Sequence, residues 1–269
     1  MDPLSSSTDV FTWSAIITLW KRKSYLLEQL TAIKNQSIPP SEIIVIINER
    51  YIDETYVQAI AKNVSCEILL IRSDINSLYL RWSIAYIAKG QYINVFDDDT
   101  IPGEFWVQNA YKVSKLFNAL VGSSGRIYNK NGFHNYFEVV RPHGKSITDR
   151  YRDCSQSDIH CDWVCNSYFF KRDWVSFILA DPRYNSSQKT FDDIQLAVSL
   201  SNAGGIHSIV PAQPIDNKKL HGSLHESYGN DAHAVWRANP IVHFGSRKIY
   251  IESLISLGYP AIQSVDANL

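Results

Sequence analysis

The chain has 269 residues, 45% of them hydrophobic, which is enough for one large α/β domain with a full core. Its 26 lysines and arginines nearly balance its 27 aspartates and glutamates, which argues against a nucleic-acid partner because such binding depends on excess positive charge. No stretch approaches the ~18 apolar residues that cross a membrane, and Met1–Asp9 is polar, so we expect no membrane span and a cytoplasmic location.

The first two-thirds of the chain alternates strand-like and helix-like segments, as a βαβ sheet requires. Short apolar runs rich in β-branched residues predict strands at Trp13–Leu19, Glu42–Ile47, Glu67–Ile71, Tyr92–Phe96 and Ala119–Ser123. Apolar residues at helical spacing predict helices at Ser24–Lys34, Asp53–Ala61, Leu78–Ala88 and Gly103–Phe117, with Gly90 ending the third.

Regular periodicity fails between Tyr128 and His160, which is either a long functional loop or a small subdomain. Regularity resumes with a strand-like segment, a helix, a strand and a last helical piece, at Trp163–Phe170, Asp192–Asn202, Ile206–Val210 and Ile249–Leu257. No internal repeat or low-complexity linker interrupts the chain. These patterns predict one α/β domain, residues 1–269, with a mixed, mostly parallel sheet flanked by helices.

Three successive carboxylates, Asp97, Asp98 and Asp99, follow the fourth predicted strand directly. They repel one another, and the end of a buried strand removes part of their hydration, so an offsetting cation is expected. Ligands of open α/β sheets bind beyond the carboxyl ends of the strands. We therefore expect Asp97 and Asp99 to hold Mg²⁺ or Mn²⁺, directly or through water, and Asp98 to face a ribose hydroxyl.

Two other interpretations of the triplet, and one of a separate cysteine cluster, are the alternatives to this one. The triplet fits a solvated acidic turn, as most short charge runs do. A phosphatase of the haloacid-dehalogenase type needs the motif D-x-D-x-T/V. The motif could start at the first or the second aspartate of the triplet, and neither alignment gives both the second aspartate and the final threonine or valine. A zinc site lacks a second ligand pair, so small buried thiols are the alternative for its candidate residues, which are Cys154, His160, Cys161 and Cys165.

With this triplet the chain resembles glycosyltransferases of the GT-A type, in particular family 2-like enzymes and the exostosin-like group. Upstream, Asn76–Gly90 resembles the family-2 pattern N-x-G-x-x-x-A-R-N-x-G-x-x-x-A-x-G. Arg81 and Gly90 fall on matching positions relative to the aspartates, whereas the glycine, alanine and asparagine near Arg81 are replaced. The resemblance makes Asn76 and Arg81 candidate donor-binding residues, with Arg81 as the cationic partner of a phosphate.

Further segments extend the resemblance over roughly Val10–Pro211. The segment Ile16–Arg22 is similar to the opening strand, in which Thr18 and Arg22 would lie near the nucleotide. The segment Ile46–Glu49 resembles the end of the second strand, whose Asn48 would meet the base. Downstream, Thr190–Leu196 resembles the E/D-D-x-x-L motif, and Asp162–Phe170 resembles the acceptor-side strand before it.

The resemblance implies a GT-A, Rossmann-like fold with a donor-binding half at about 10–125, an acceptor half at about 126–235 and a C-terminal helical tail. The partners would be a nucleotide-sugar donor and a glycan acceptor, with Mn²⁺ or Mg²⁺ as the cofactor that neutralises the leaving diphosphate. Asp193 would be the base of an inverting transfer, and in a retaining transfer it would position the acceptor or stabilise positive charge on the sugar.

Two assignments stay open within this resemblance. Asp192 is either a second catalytic carboxylate or the N-cap of its helix, with Asp193 in the first turn. His221 or His225 would complete the metal shell, because some GT-A enzymes take a third ligand from a histidine after the last strand. Either histidine could instead lie on the surface without a metal.

The donor follows from resemblance alone. UDP is the nucleotide most often used with DDD motifs, and the chain resembles transferases encoded by large algal viruses, for which UDP-xylose is a plausible donor. A carbohydrate-binding protein on a decayed transferase fold is the alternative, although Asp97, Asp99 and Asp193 are all retained. A nucleotidyltransferase would need a basic, glycine-rich loop near the first strand, and the sequence has none there.

Overall fold

The computed structural model describes residues 11–75, 77–129, 137–141, 156–183, 191–225 and 233–261. Within these ranges, nine strands form one sheet. In chain order they are β1 (Trp13–Leu19), β2 (Glu42–Asn48), β3 (Leu69–Ser73), β4 (Tyr92–Asp97), β5 (Leu120–Tyr128), β6 (Phe137–Val140), β7 (Ile159–Cys161), β8 (Trp163–Lys171) and β9 (Ser208–Val210).

The strands lie in the order β3-β2-β1-β4-β8-β5-β9-β7, and β6 pairs with β5. The first four are mutually parallel, β8 is antiparallel to both β4 and β5, and β9 is parallel to β5. Strands β1 to β5 and β9 therefore run in one direction, whereas β6, β7 and β8 oppose it. The predicted mixed, mostly parallel sheet is confirmed.

Seven α-helices occur in the described ranges, and those that carry core residues pack on the two faces of the sheet. They are α1 (Leu26–Lys34), α2 (Glu54–Asn63), α3 (Leu80–Ile87), α4 (Trp106–Phe117), α5 (Val175–Leu179), α6 (Asp192–Gly204) and α7 (Pro240–Ser256). Successive strand residues point to opposite faces, so Ile16 belongs to the core cluster that includes residues of α3, α5, α6 and α7. Ile17 belongs to the cluster that includes residues of α1, α2 and α4. No described helix is long and apolar enough to span a bilayer.

Most predicted elements occur in place, although several of their ends differ from the prediction. β3 ends at Ser73, two residues beyond its predicted end, and α5 was not predicted. β5 extends five residues beyond Ser123. Its Gly122 and Gly125 pack closely, since an added Cβ would lie 2.3 Å from the Val164 Cβ and 2.6 Å from the Cys161 Sγ, respectively. Glycine lowers the apparent strand propensity of the segment, although close packing here requires it.

The last helix also begins earlier than predicted. α7 starts at Pro240, nine residues before Ile249, and the Asn239 side chain accepts a hydrogen bond from the Val242 amide at 3.2 Å. Gly245 interrupts the helical pattern in the sequence, which hides the first half of this helix. Between Tyr128 and His160, β6 and the start of β7 are described, and residues 130–136 and 142–155 of that predicted loop or subdomain lie outside the described residues.

Gly90 provides a test of the packing between β4 and β1. A Cβ at Gly90 would lie 2.5 Å from the Ser14 nitrogen and from the Trp13 carbonyl carbon, both of which are backbone atoms that yield little. We expect Gly90→Ala to lower the free energy of unfolding by about 1–3 kcal/mol. The matched control is Gly245→Ala in α7, where nothing lies within 4 Å and alanine gains about 0.5–1 kcal/mol. Urea unfolding at 25 °C compares them, and equal effects of the two substitutions would contradict the described packing.

Candidate active site

The carboxyl ends of β1, β2 and β4 bring the predicted donor-binding residues of these strands to one edge of the sheet. In the parallel register of β1 and β4, Thr18 lies opposite Asp97. The turn after β4 is fixed by Gln29 of α1, whose Nε2 donates to the carbonyl oxygens of Asp97 and Thr100 at 2.7 Å each. Asp98 and Asp99 are each only 3% exposed, so the alternative of a solvated acidic turn is wrong.

Arg22 lies across the second and third carboxylates of the triplet. Its Nη2 is 2.5 Å from Asp98 Oδ1, and its Nη1 contacts Asp99 Oδ2. Asp98 Oδ2 also accepts hydrogen bonds from the backbone amides of Trp20 and Arg22, at 3.3 Å each. Burial alone would lower the pKa of Arg22, but Asp98 and Asp99 outweigh it and raise that pKa. Asp98 thus anchors the segment after β1, and its predicted ribose contact stays a prediction.

Arg81, at the start of α3, joins the two acidic motifs. Its Nη1 is 2.7 Å from Asp97 Oδ1, and its Nη2 is 2.6 Å from Asp192 Oδ2. The side chain is 2% exposed, and the guanidinium carbon lies 4.6 Å from the ring centroids of both Trp82 and Tyr168. The predicted phosphate partner is therefore a buried bridge between two carboxylates here, and its contact with a phosphate stays a prediction.

The two carboxylates of this bridge are both affected by burial. Burial raises the pKa of Asp97, whereas Arg81 and Arg22 act in the opposite direction. Burial also raises the pKa of Asp192, to about 6, against the lowering effect of Arg81 and with the neighbouring Asp193 adding to the rise. The charge of Arg81 therefore offsets part of the cost of placing two carboxylates in a poorly hydrated site.

Asp192 is the first residue of α6 and does not cap it. The residue before the helix is Phe191, with a left-handed backbone (φ 72°), and no side-chain capping hydrogen bond is formed. The capping alternative for Asp192 is wrong because its carboxylate turns to Arg81. The ring of Phe191 stacks on Tyr250 and lies near His243, both of α7, with centroid distances of 5.6 Å. These contacts hold a backbone conformation that non-glycine residues rarely adopt.

Asp193 faces the C-terminal helix. Its Oδ2 contacts Arg247 Nη2 of α7 and accepts a hydrogen bond from Cys165 Sγ at 3.4 Å. Its side chain is 13% exposed, which is more than that of Asp192. Arg247 also lies over the ring of Trp163, with its guanidinium carbon 5.4 Å from the centroid. Sequence reasoning missed Arg247, because no motif or spacing links a basic residue of the last helix to an acid 54 positions earlier.

The other predicted site residues have separate surroundings. Thr18 Oγ1 is buried and finds no hydrogen-bond partner among the described residues, whereas Asn48 Oδ1 accepts from the Arg50 amide at 3.1 Å. Asn76 lies outside the described residues. His221 is buried, which lowers its pKa, and its Nε2 is 2.7 Å from the Pro214 carbonyl oxygen. His225 Nε2 lies 3.1 Å from Glu28 Oε2. Neither histidine has a described contact with the aspartates.

The carboxylate oxygens of Asp97 and Asp99 are ligands of the type that a hard divalent cation prefers. The ion pairs join five carboxylates and three guanidinium groups, those of Asp97, Asp98, Asp99, Asp192, Asp193, Arg22, Arg81 and Arg247. Among the described residues, no group of three or more His, Cys, Asp or Glu side chains is arranged for a metal ion. The third ligand therefore stays a prediction.

One candidate zinc ligand, Cys154, lies outside the described residues. Cys161 and Cys165 are buried free thiols, which is the alternative that the sequence offered to a zinc site. Burial raises the pKa of Cys161 well above its ordinary value and that of Cys165 to about 12. Both are therefore neutral thiols at pH 7.

Residues 14–174 match the sequence profile of glycosyl transferase family 2, so the chain belongs to this family. TarS of S. aureus is similar in structure, with a TM-score of 0.53 and 11% identity over 75% of this chain and 35% of that chain. The TarS 1–349 structure gives a TM-score of 0.50 and 13% identity over 76% of this chain and 61% of that one. These identities show a shared fold alone, and this chain spans only part of either TarS chain. No curated protein sequence matches this chain.

The buried bridge of Arg81 gives a prediction for stability. Arg81→Gln would leave Asp97 and Asp192 without their shared cation, and we expect the free energy of unfolding at pH 7.5 to fall by about 3–5 kcal/mol. Arg72→Gln is the matched control, because Arg72 also contacts two carboxylates, Glu49 and Glu54, but is 61% exposed. Its loss should stay below about 0.5 kcal/mol. Urea unfolding measures both variants, and a loss at Arg81 no larger than at Arg72 would refute the bridge.

Proposed function

We propose that this glycosyltransferase moves a sugar from a UDP-sugar to a hydroxyl of a glycan acceptor, in a reaction that needs Mn²⁺ or Mg²⁺. UDP-xylose is the first donor to test. The observation that carries the proposal is the bridge of Arg81 between Asp97 and Asp192, because it brings the acids of the donor side and those of the acceptor side into one centre. A sugar transferred between two substrates needs both sets of groups within reach of one anomeric carbon.

On the donor side, a divalent ion held by Asp97 and Asp99 would act as a Lewis acid on the leaving diphosphate. The nucleoside would lie along the ends of β1 and β2, with Thr18 and Asn48 as contacts and Asp98 beside the ribose. The buried Thr18 hydroxyl supports a ligand there, because an unsatisfied buried hydroxyl is costly unless a bound molecule completes its hydrogen bonds. Asn76 and His221 stay proposed contacts of the donor and the metal ion, respectively.

On the acceptor side, we assign proton transfer to Asp193 and positioning to Asp192. Asp193 is the more exposed of the two, whereas Asp192 is held by the buried Arg81. In an inverting transfer the acceptor oxygen bonds to the anomeric carbon, its proton passes to a carboxylate oxygen of Asp193, and the diphosphate leaves with the bonding electron pair. Arg247 and Cys165 already contact Asp193 Oδ2, and Oδ1 accepts a hydrogen bond from the Ile194 amide at 2.9 Å. The acceptor hydroxyl must therefore displace one of the two groups on Oδ2 or share Oδ1 with this amide.

The direct test is UDP release from a panel of UDP-sugars, UDP-xylose included, with simple glycosides as acceptors and with MnCl2, MgCl2 or EDTA. We expect release from at least one donor, abolished by EDTA. Asp193→Asn should lower kcat by about 10²–10⁴-fold without weakening donor binding, because it removes the base alone. The matched control, Asp173→Asn, changes an exposed aspartate beside Arg172 and should leave kcat unchanged.

Two results would contradict this proposal. Folded protein that releases UDP from none of the donors with either metal ion would refute UDP-sugar transfer. Full activity of Asp193→Asn would refute its role as the base. The anomeric configuration of the product, read by NMR, separates the inverting reaction from a retaining one, in which Asp193 would stabilise positive charge on the sugar.

A further inference from the structure

The guanidinium of Arg22 rests on a carboxylate that the proposed reaction assigns to the metal ion. Its Nη1 contacts Asp99 Oδ2, and its Nη2 is 2.5 Å from Asp98 Oδ1. One guanidinium thus spreads a single positive charge over two adjacent, nearly buried carboxylates. A divalent ion bound to Asp99 Oδ2 would lie within contact distance of this guanidinium, and two cations at such a distance repel strongly in a poorly hydrated site.

The backbone beside Arg22 is fixed independently of its side chain. The amides of Trp20 and Arg22 both donate to Asp98 Oδ2, at 3.3 Å each, so the segment after β1 stays tied to the triplet if the guanidinium moves. The side chain of Arg22 is 14% exposed and projects from a loop, whereas that of Arg81 is 2% exposed and contacts carboxylates on two elements. On the donor side, Arg22 is therefore better placed than Arg81 to exchange partners.

We propose that Arg22 neutralises Asp99 in the free enzyme and transfers to the donor diphosphate when the divalent ion takes Asp99, so that metal ion and nucleoside diphosphate bind cooperatively. This inference rests on the proposed function. The planar guanidinium fork matches phosphate oxygens as well as carboxylate oxygens, so the diphosphate offers Arg22 an equivalent partner.

This exchange has a thermodynamic consequence that a purely structural role of Arg22 lacks. If Arg22 competes with the metal ion, its removal strengthens metal binding in the absence of nucleotide. If the diphosphate draws Arg22 away, UDP strengthens metal binding, and the metal ion strengthens UDP binding by the same factor. A residue that merely held the acidic turn together would, on removal, weaken metal binding with and without nucleotide.

The test is the affinity for Mn²⁺, measured from the EPR signal of free Mn²⁺ with and without UDP, after subtraction of a protein-free UDP titration. Wild-type protein should bind Mn²⁺ weakly alone and much more tightly with UDP. Arg22→Gln should bind Mn²⁺ alone about tenfold more tightly than wild type, and the strengthening by UDP should fall by about tenfold. Arg22→Lys, which offers one compact charge, should lie between them. The control Arg72→Gln, at an exposed ion pair, should match wild type.

The outcomes separate this inference from the proposed function. UDP-dependent Mn²⁺ binding that is the same in wild type and in folded Arg22→Gln would overturn the exchange and leave the proposed function standing. Mn²⁺ binding that weakens in Arg22→Gln both with and without UDP would also overturn the exchange, in favour of a structural role. Absence of Mn²⁺ binding from every variant, with or without UDP, would refute both. If Arg22→Gln does not fold, as judged by circular dichroism, Arg22→Lys and wild type carry the comparison.

Discussion

The buried guanidinium of Arg81 is the constraint on which the rest of the site depends. A charged group with almost no exposure is tolerated only if carboxylates and hydrogen bonds surround it, and here Asp97 and Asp192 do so from opposite parts of the chain. The end of β4, the start of α3 and the start of α6 must therefore meet at one point. Because of this meeting, two short acidic motifs, separated by about a third of the sequence, form a single centre.

Each flank of this centre repeats the same type of pairing. Arg22 holds Asp98 and Asp99 on the side of the predicted donor, and Arg247 holds Asp193 on the side of the predicted acceptor. A site with this many acids cannot remain compact without such cations. The proposed reaction and the proposed role of Arg22 both start from these carboxylates in their paired state.

The sequence predicts the parts of this arrangement that depend on local pattern. Alternating apolar runs predict the sheet, and the acidic residues after β4 and at the start of α6 mark both sides of the centre. The extension of β5 was missed because it contains a glycine that close packing requires, and glycine is unusual in strands. The start of α7 was missed because a glycine that the helix tolerates interrupts the helical pattern. The contact between Arg247 and Asp193 is long-range and leaves no local signal, and the capping alternative for Asp192 failed because tertiary pairing with Arg81 decides its side-chain direction.

The most direct measurement of the central claim, one metal-dependent nucleotide centre, is the thermal midpoint with UDP, in the presence of Mn²⁺ and then of EDTA. A ligand at about 100 times its Kd adds ~2.7 kcal/mol to the folded state, which should raise the midpoint by several degrees. We predict that this rise requires Mn²⁺ and disappears in Asp99→Asn. An equal rise in EDTA, or no rise in folded wild-type protein, would contradict the account.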